Sequence, residues 1–438
     1  MDDSRDAAET LSAQQRRALL EKMLKARART AISRTDGIYQ FPPEYAELRR
    51  LHEANTEDSL GDLFFRSFDG INGSTASLSS ASLINFCSYN YVGMSGDPEV
   101  SQAAIDAIRT YGTSVSASRL VSGERPVHRQ LEKAIAGWIG AEDAIAFVGG
   151  FSSNVDTIGH LFGKDDLIVY DSLIHASVQQ GARLAGAAAI PFPHNNLAAL
   201  DNILRRRRKD ARQVLVVVEG IYSMDGDIPD LPKLIEIKTR AGALLMVDEA
   251  HSIGVLGRTG RGIGEHFGTP ASSVDLWMGT LSKSLASCGG YIAGAQELVT
   301  YLRRTAPGFV YSVGMSPPNA AAALAALRTL GERPERVACL QARARLFHEL
   351  ARQKGLDIGT ADPASAVLPV MVGESRAAVR LSRSLLAEGI LALPIGFPAV
   401  PENKARLRFF ISSSHSEDQI RQAVDAVARC LERQKGAT

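Results

Sequence analysis

The chain has 438 residues, a length that suits two or three domains sharing a core large enough to bury an active site. Hydrophobic residues make up 45% and charged residues 22%, with a formal net charge of +1, so whole-surface binding to nucleic acid is excluded and a charge-driven partner must meet a local patch. Cys87, Cys288, Cys339 and Cys430 lie far apart with no CxxC pair, which argues against zinc or a disulfide framework and for reduced thiols.

The N-terminus, Met-Asp-Asp-Ser-Arg-Asp, lacks the basic and apolar regions of a signal peptide, and no apolar run has the length of a membrane span. A cytoplasmic protein is expected. From Leu11 to about Ile32, apolar Leu19, Leu20, Met23 and Leu24 among charged residues read as an amphipathic helix, with Ser12 and Gln15 spaced as a capping box. A polar stretch with Pro42, Pro43 and the run Asp69 to Gly73 follows, so residues 1–80 are taken as an appendage. The body begins at Leu83-Ile-Asn-Phe86.

Between about residues 95 and 300, the apolar runs Ala144 to Val148, Leu167 to Tyr170, Val214 to Val218 and Ala243 to Val247 alternate with helix-length segments. That alternation predicts an α/β fold with a mostly parallel central sheet, assigned to residues 81–325. Past Pro317-Pro318, strands near Ala366 to Val372 and Leu407 to Ile411 predict a smaller α+β domain over residues 326–438. The densest charge run is Arg205 to Lys209. Gly260, Gly262 and Gly264 follow a turn and not a strand, so they are read as a loop and not a dinucleotide fingerprint.

The chemistry gathers at strand ends. The strand Ala243 to Val247 runs into Asp248-Glu-Ala-His251-Ser, and Gly279-Thr280-Leu-Ser282-Lys283-Ser follows. In α/β sheets ligands sit beyond the carboxyl ends of strands. A carboxylate there can pair with a pyridinium nitrogen, and a lysine can form a Schiff base with an aldehyde cofactor. Taken singly, Asp248 reads as a helix cap and Lys283 as a surface lysine; together they point to pyridoxal 5'-phosphate. Gly149-Gly150-Phe151, between a strand and a helix, offers backbone amides to a phosphate, and Thr280 and Ser282 offer hydroxyls.

With these motifs, the chain resembles the α-oxoamine synthase family of fold-type I enzymes, from about residue 83 to the end. The resemblance is carried by Ser88-Tyr-Asn-Tyr-Val-Gly93, Ser118-Arg-Leu-Val-Ser-Gly123, Glu219 to Asp227, Asp248 to Ser252 and Thr280 to Lys283. It implies an aspartate aminotransferase-like fold with Lys283 as the Schiff-base lysine, Asp248 on the pyridine nitrogen, His251 on the phenolic oxygen and His175 stacked on the ring. Gly150 and Phe151 match the phosphate turn, with Phe151 where tyrosine is often found. Ser223 is placed with the cofactor. Ser312 resembles the hydroxyl that reaches the neighbouring subunit's phosphate, which implies a homodimer. Asn90 and Arg408 resemble the pair that holds the amino acid carboxylate, with Arg406 as a rival. His128, His194 and His415 fall in family-like contexts but read as structural.

The implied reaction joins a small L-amino acid (alanine, serine or glycine) to an acyl thioester, with loss of carbon dioxide, to give an α-aminoketone. The alternative is a fold-type I aminotransferase, which can use the same lysine, aspartate and arginine. A silent subunit, which would lack the lysine, is disfavoured because Lys283 is present. An acyl carrier protein is expected to bring the acyl group, on two features: the appended N-terminal helix, and the likeness to family members that occur with polyketide assembly lines. Arg205 to Lys209 is the basic cluster available to meet the carrier.

Overall fold

Val214-Leu-Val-Val-Val-Glu219 is apolar at five consecutive positions, and every one of its residues is buried. The computed structural model describes Pro42, Tyr45 and residues 63–436, and the helix expected from Leu11 to Ile32 lies outside them. Contacts divide the chain into Met1–Arg66 and Ser67–Thr438. Of the first unit, Tyr45 N donates to Pro42 O at 2.9 Å. The second unit carries the fold.

Its strands are β1 (Thr75–Leu78), β2 (Ala81–Asn85), β3 (Asp143–Phe147), β4 (Leu167–Asp171), β5 (Ala188–Phe192), β6 (Val214–Glu219), β7 (Leu244–Asp248), β8 (Leu276–Thr280), β9 (Gly290–Gly294), β10 (Val367–Gly373), β11 (Ile390–Leu391), β12 (Pro394–Ile395) and β13 (Ala405–Phe410). A seven-stranded sheet has the order β3-β9-β8-β7-β6-β4-β5. Only β9 runs antiparallel to its neighbours, β3 and β8. The mostly parallel sheet expected from the alternating pattern is therefore present.

Both faces of that sheet are covered. Val214, Val216 and Val218 pack into one apolar cluster, and Leu215 and Val217 into a second. This is the period-2 split of a strand buried on both sides. Each such side chain contributes about 1.5–3 kcal/mol by leaving water. β5 contains Pro191 and takes an edge, where a missing amide costs no ladder hydrogen bond.

The smaller sheet, β10-β13-β12, lies in the C-terminal region, as expected. β1 pairs with β2 across Ser79-Ser80, and β2 with β11. The chain therefore returns at residues 390–391 to pair with β2, and the boundary placed at residue 80 falls inside the β1–β2 hairpin. The boundary at 325 falls inside the helix Pro317–Glu332. Among the described residues no helix is long and apolar enough to cross a membrane.

Candidate active site

The parallel strands β3, β4, β6, β7 and β8 all end at one edge of the sheet. The residues just beyond their ends are Gly150, His175, Ser223, His251 and Lys283, and all five line one cavity of about 360 Å³. This is the edge where open α/β sheets bind ligands. Each strand delivers a separate group, and the parallel register brings the groups together.

Lys283 sits on a turn that closes on itself. Leu281 N donates to Gly289 O at 2.9 Å, Ser287 N to Leu281 O at 2.9 Å and Ala286 N to Lys283 O at 3.0 Å. Ser284 Oγ ties the turn to Ile253 O at 2.7 Å. The Lys283 amine stands 5.6 Å from the centre of the Tyr89 ring. Burial pulls its pKa down to about 8; Asp248 and Glu219 oppose that shift, and the Arg408 charge adds to it. A neutral amine is thus accessible near physiological pH, as a Schiff-base lysine requires.

Asp248 ends β7 with both carboxylate oxygens engaged. Oδ1 accepts from Ala250 N at 2.9 Å and Oδ2 from Asn154 Nδ2 at 2.9 Å. Asn154 also donates to Ser177 Oγ at 2.9 Å, and Ser177 Oγ lies 2.7 Å from His175 Nδ1. Ser177 N also donates to His175 Nδ1 at 3.3 Å, which makes Nδ1 an acceptor and leaves the His175 proton on Nε2. Burial lowers the His175 pKa, although Asp248 pulls the other way.

His251 is buried, with Nδ1 2.8 Å from the Tyr91 hydroxyl. Burial, then the charges of Lys283 and Arg408, holds its pKa well below the usual value. The imidazole is neutral. Glu219 ends β6 beside Asp248 in register; burial and then Asp248 push its pKa up to about 8.

Residues 150–161 form a helix whose first turn has no side-chain cap. Its free amides and positive end face the cavity at Gly150 and Phe151, next to Thr280 and Ser282. A Cβ on Gly150 would stand 2.9 Å from Thr280 Oγ1, so any larger residue would fill the cradle. The donors suit a phosphate. With a depressed-pKa lysine and a strand-end carboxylate held by Asn154, they fit pyridoxal phosphate.

Arg408 projects from β13 into the same cavity, its Nη1 bonded to Ser223 O at 2.8 Å. Arg406 does not: it is buried and paired with Asp225 and with Met224 O. Asn90 also turns away, because its amide closes a local loop, accepting from Ser95 N at 3.0 Å and donating to Ser95 O at 3.3 Å. Its neighbour Tyr89 lines the cavity instead.

Ser312 lies outside this chain's cavity, between exposed Tyr311 and Val313, and bonds Val313 O at 3.2 Å. His128 and His415 bond backbone groups inside the protein. Sequence reasoning missed Tyr89, Asn154, Ser177 and Glu219. For Glu219 a signal existed, an acid ending a fully apolar strand.

Fold and site together define a pyridoxal-phosphate-dependent transferase of fold-type I. The family model "Aminotransferase class I and II" matches residues 81–427. An 8-amino-7-oxononanoate synthase of Fervidobacterium nodosum is 39% identical over 363 residues, covering 82% of this chain and 91% of that protein. Among solved structures, a serine palmitoyltransferase of Sphingomonas wittichii superposes with a TM-score of 0.85 at 31% identity, covering 91% of this chain and 98% of that one. A second serine palmitoyltransferase structure, solved with PLP, gives 0.84 at 29% identity, covering 91% and 98%. The chain belongs to the aminotransferase class I and II family and, within it, to the α-oxoamine synthases.

Proposed function

We propose that this chain joins the α-carbon of a small L-amino acid, alanine, serine or glycine, to the acyl group of a thioester, releasing carbon dioxide and a thiol and forming an α-aminoketone. The meeting of Lys283 and Arg408 in one cavity supports pyridoxal-phosphate chemistry on an amino acid, and the likeness to an 8-amino-7-oxononanoate synthase and a serine palmitoyltransferase favours condensation over transamination.

When bound, pyridoxal phosphate supplies an aldehyde for the amino group and a protonated ring that accepts electrons from the α-carbon. Gly150, Phe151, Thr280 and Ser282 would hold its phosphate, Asp248 its ring nitrogen, His251 its phenolic oxygen and His175 its ring face. Arg408 binds the amino acid carboxylate, since a guanidinium offers two parallel donors. Tyr89 stands where Asn90 was expected to help. Lys283 Nζ takes the α-proton and returns a proton once carbon dioxide has left. Asp248, held by Asn154, keeps the ring nitrogen protonated while this happens.

A homodimer is part of the proposal. Leu120, Val121, Tyr311 and Val313 are exposed by 61%, 80%, 85% and 50%, and Gly314 N bonds Ala117 O at 3.0 Å, which draws the two segments together. Such apolar exposure beside Ser312 suits burial against a second copy.

The basic run gives the carrier protein no support. Residues 205–209 precede β6 and so lie toward its amino end, whereas the cavity opens at its carboxyl end. Arg205 and Arg207 are paired with Asp201 and Asp210, and Arg208 bonds backbone carbonyls.

The test is a screen of alanine, serine and glycine against acyl groups of graded length, each on coenzyme A and on a carrier protein, read by mass spectrometry. An α-aminoketone from one pairing is expected. Exchange of the amino group with a keto acid, with no thioester needed, would establish the aminotransferase instead.

A further inference from the structure

The segment Tyr222–Asp227 lies between the two sheets and is bonded to both. It is closed on itself, with Tyr222 N donating to Asp227 O at 3.0 Å and Gly226 N to Tyr222 O at 2.8 Å. Gly226 has φ +71°, and a Cβ there would stand 1.9 Å from Val367 O of β10, so the turn presses directly on the small sheet. Asp362 N donates to Gly226 O at 3.1 Å. Arg406 grips Met224 O and the Asp225 carboxylate, and Arg408 Nη1 donates to Ser223 O. The backbone of this turn therefore sets where the Arg408 guanidinium stands.

The large sheet holds the same turn through a different set of groups. His194 Nδ1 lies 2.9 Å from Asp171 Oδ1, at the end of β4, and Nε2 lies 2.7 Å from Asp227 Oδ2. Asn195 reinforces both, its backbone amide donating to Asp171 Oδ2 at 2.8 Å and its side chain to Asp227 Oδ2 at 2.6 Å. The His194 ring packs edge-on to Tyr222, with centroids 4.5 Å apart. Neither residue lines the cavity.

We propose that His194 is a positioning residue for the amino acid: by bonding Asp171 and Asp227 at once, it anchors the Tyr222–Asp227 turn to β4, and the turn fixes Arg408 through the Ser223 carbonyl. This rests on the assignment of Arg408 to the substrate carboxylate. The groups facing His194 are the carboxylates of Asp171 and Asp227, the amide of Asn195 and the Tyr222 ring. Desolvation alone would lower its pKa, but the two carboxylates outweigh it and raise the value to about 10. Both ring nitrogens then carry protons, and each carboxylate accepts one.

The test uses the holoenzyme with His194→Gln, Asp227→Asn, Arg408→Lys and the His194→Gln/Arg408→Lys double variant. His194→Gln is expected to raise the amino acid KM about 10-fold, with kcat within about 2-fold and the cofactor absorbance unchanged. Hydrogen exchange in the peptide holding residues 222–227 is expected to speed up, and Asp227→Asn to reproduce both effects. The double variant is expected to fall short of the product of the two single effects, because the two residues act in series. If Arg408→Lys leaves KM unchanged, the carboxylate assignment fails. If Arg408→Lys raises KM while His194→Gln does not, or if exchange in residues 222–227 stays at the wild-type rate, the His194 inference alone is overturned. It is equally overturned if both His194→Gln and Asp227→Asn lose cofactor and fold together.

Discussion

The Tyr91 hydroxyl and His251 Nδ1 are 2.8 Å apart, and both side chains are buried. Burial raises the Tyr91 pKa well above its usual value, so the phenol keeps its proton. The phenol donates that proton to His251, and the bond is satisfied when Nδ1 accepts. The remaining N–H, on Nε2, is then free to donate into the cavity.

Tyr91→Phe removes the group that selects this tautomer. A hydrogen bond of this kind is worth about 1 kcal/mol net, so kcat is expected to fall roughly 5- to 10-fold with cofactor still bound. Steady-state kinetics alongside the cofactor absorbance check it. Unchanged kcat would mean that His251 is oriented by something else.

Asn154→Ala strips a donor from Asp248 Oδ2 and, through Ser177, loosens His175. Losing a hydrogen bond to a charged group costs about 1.5–3 kcal/mol, which corresponds to roughly 10- to 100-fold in the Kd for pyridoxal phosphate. Titration of the apoprotein with cofactor measures this directly. Asn154→Asp places a second acid beside Asp248 and is expected to be worse.

Lys283→Ala is expected to lower turnover roughly 100- to 10,000-fold, the range for loss of a positioned acid–base group. In apoprotein the amine's pKa of about 8 makes it reactive at lower pH than other lysines. Acetylation at Lys283, followed by peptide mass spectrometry, is expected to reach half its maximal rate near pH 8.

His194 also makes a prediction about stability. Its folded pKa, about 10, lies above the unfolded value near 6.5, so the folded state binds the proton more tightly. The stabilisation is fully present below about pH 6.5 and is lost as pH rises through about 10. Thermal melts of wild type and His194→Gln are therefore expected to differ most at pH 6 and to converge toward pH 10.5. A constant gap across that range would show that His194 carries no extra proton in the folded state.

Much of this was legible because β4, β6 and β7 are apolar runs that each end in an acid, and the groups that follow them fall at strand ends. The strands β8 and β9 were harder: Gly279, Gly290 and Gly294 break their apolar pattern, and the strands form through pairing with neighbours distant in sequence. β5 was obscured by Pro191, which only an edge position tolerates. Asn90 does not line the cavity, for a local reason. In Ser88-Tyr-Asn-Tyr, Tyr89 lines the cavity while the Asn90 side chain closes onto Ser95. Asn154 and Ser177 carry no motif of their own. Their importance lies in distances to Asp248 and His175, which appear only once the helices are packed.

The most direct measurement follows a carboxyl-labelled amino acid in single turnovers of the holoenzyme with its acyl thioester. One equivalent each of labelled carbon dioxide and free thiol is expected per α-aminoketone formed, neither appearing without both substrates and both slowed roughly 100- to 10,000-fold in Lys283→Ala. Carbon dioxide released without thioester, or product that retains the label, would contradict decarboxylative condensation at this site.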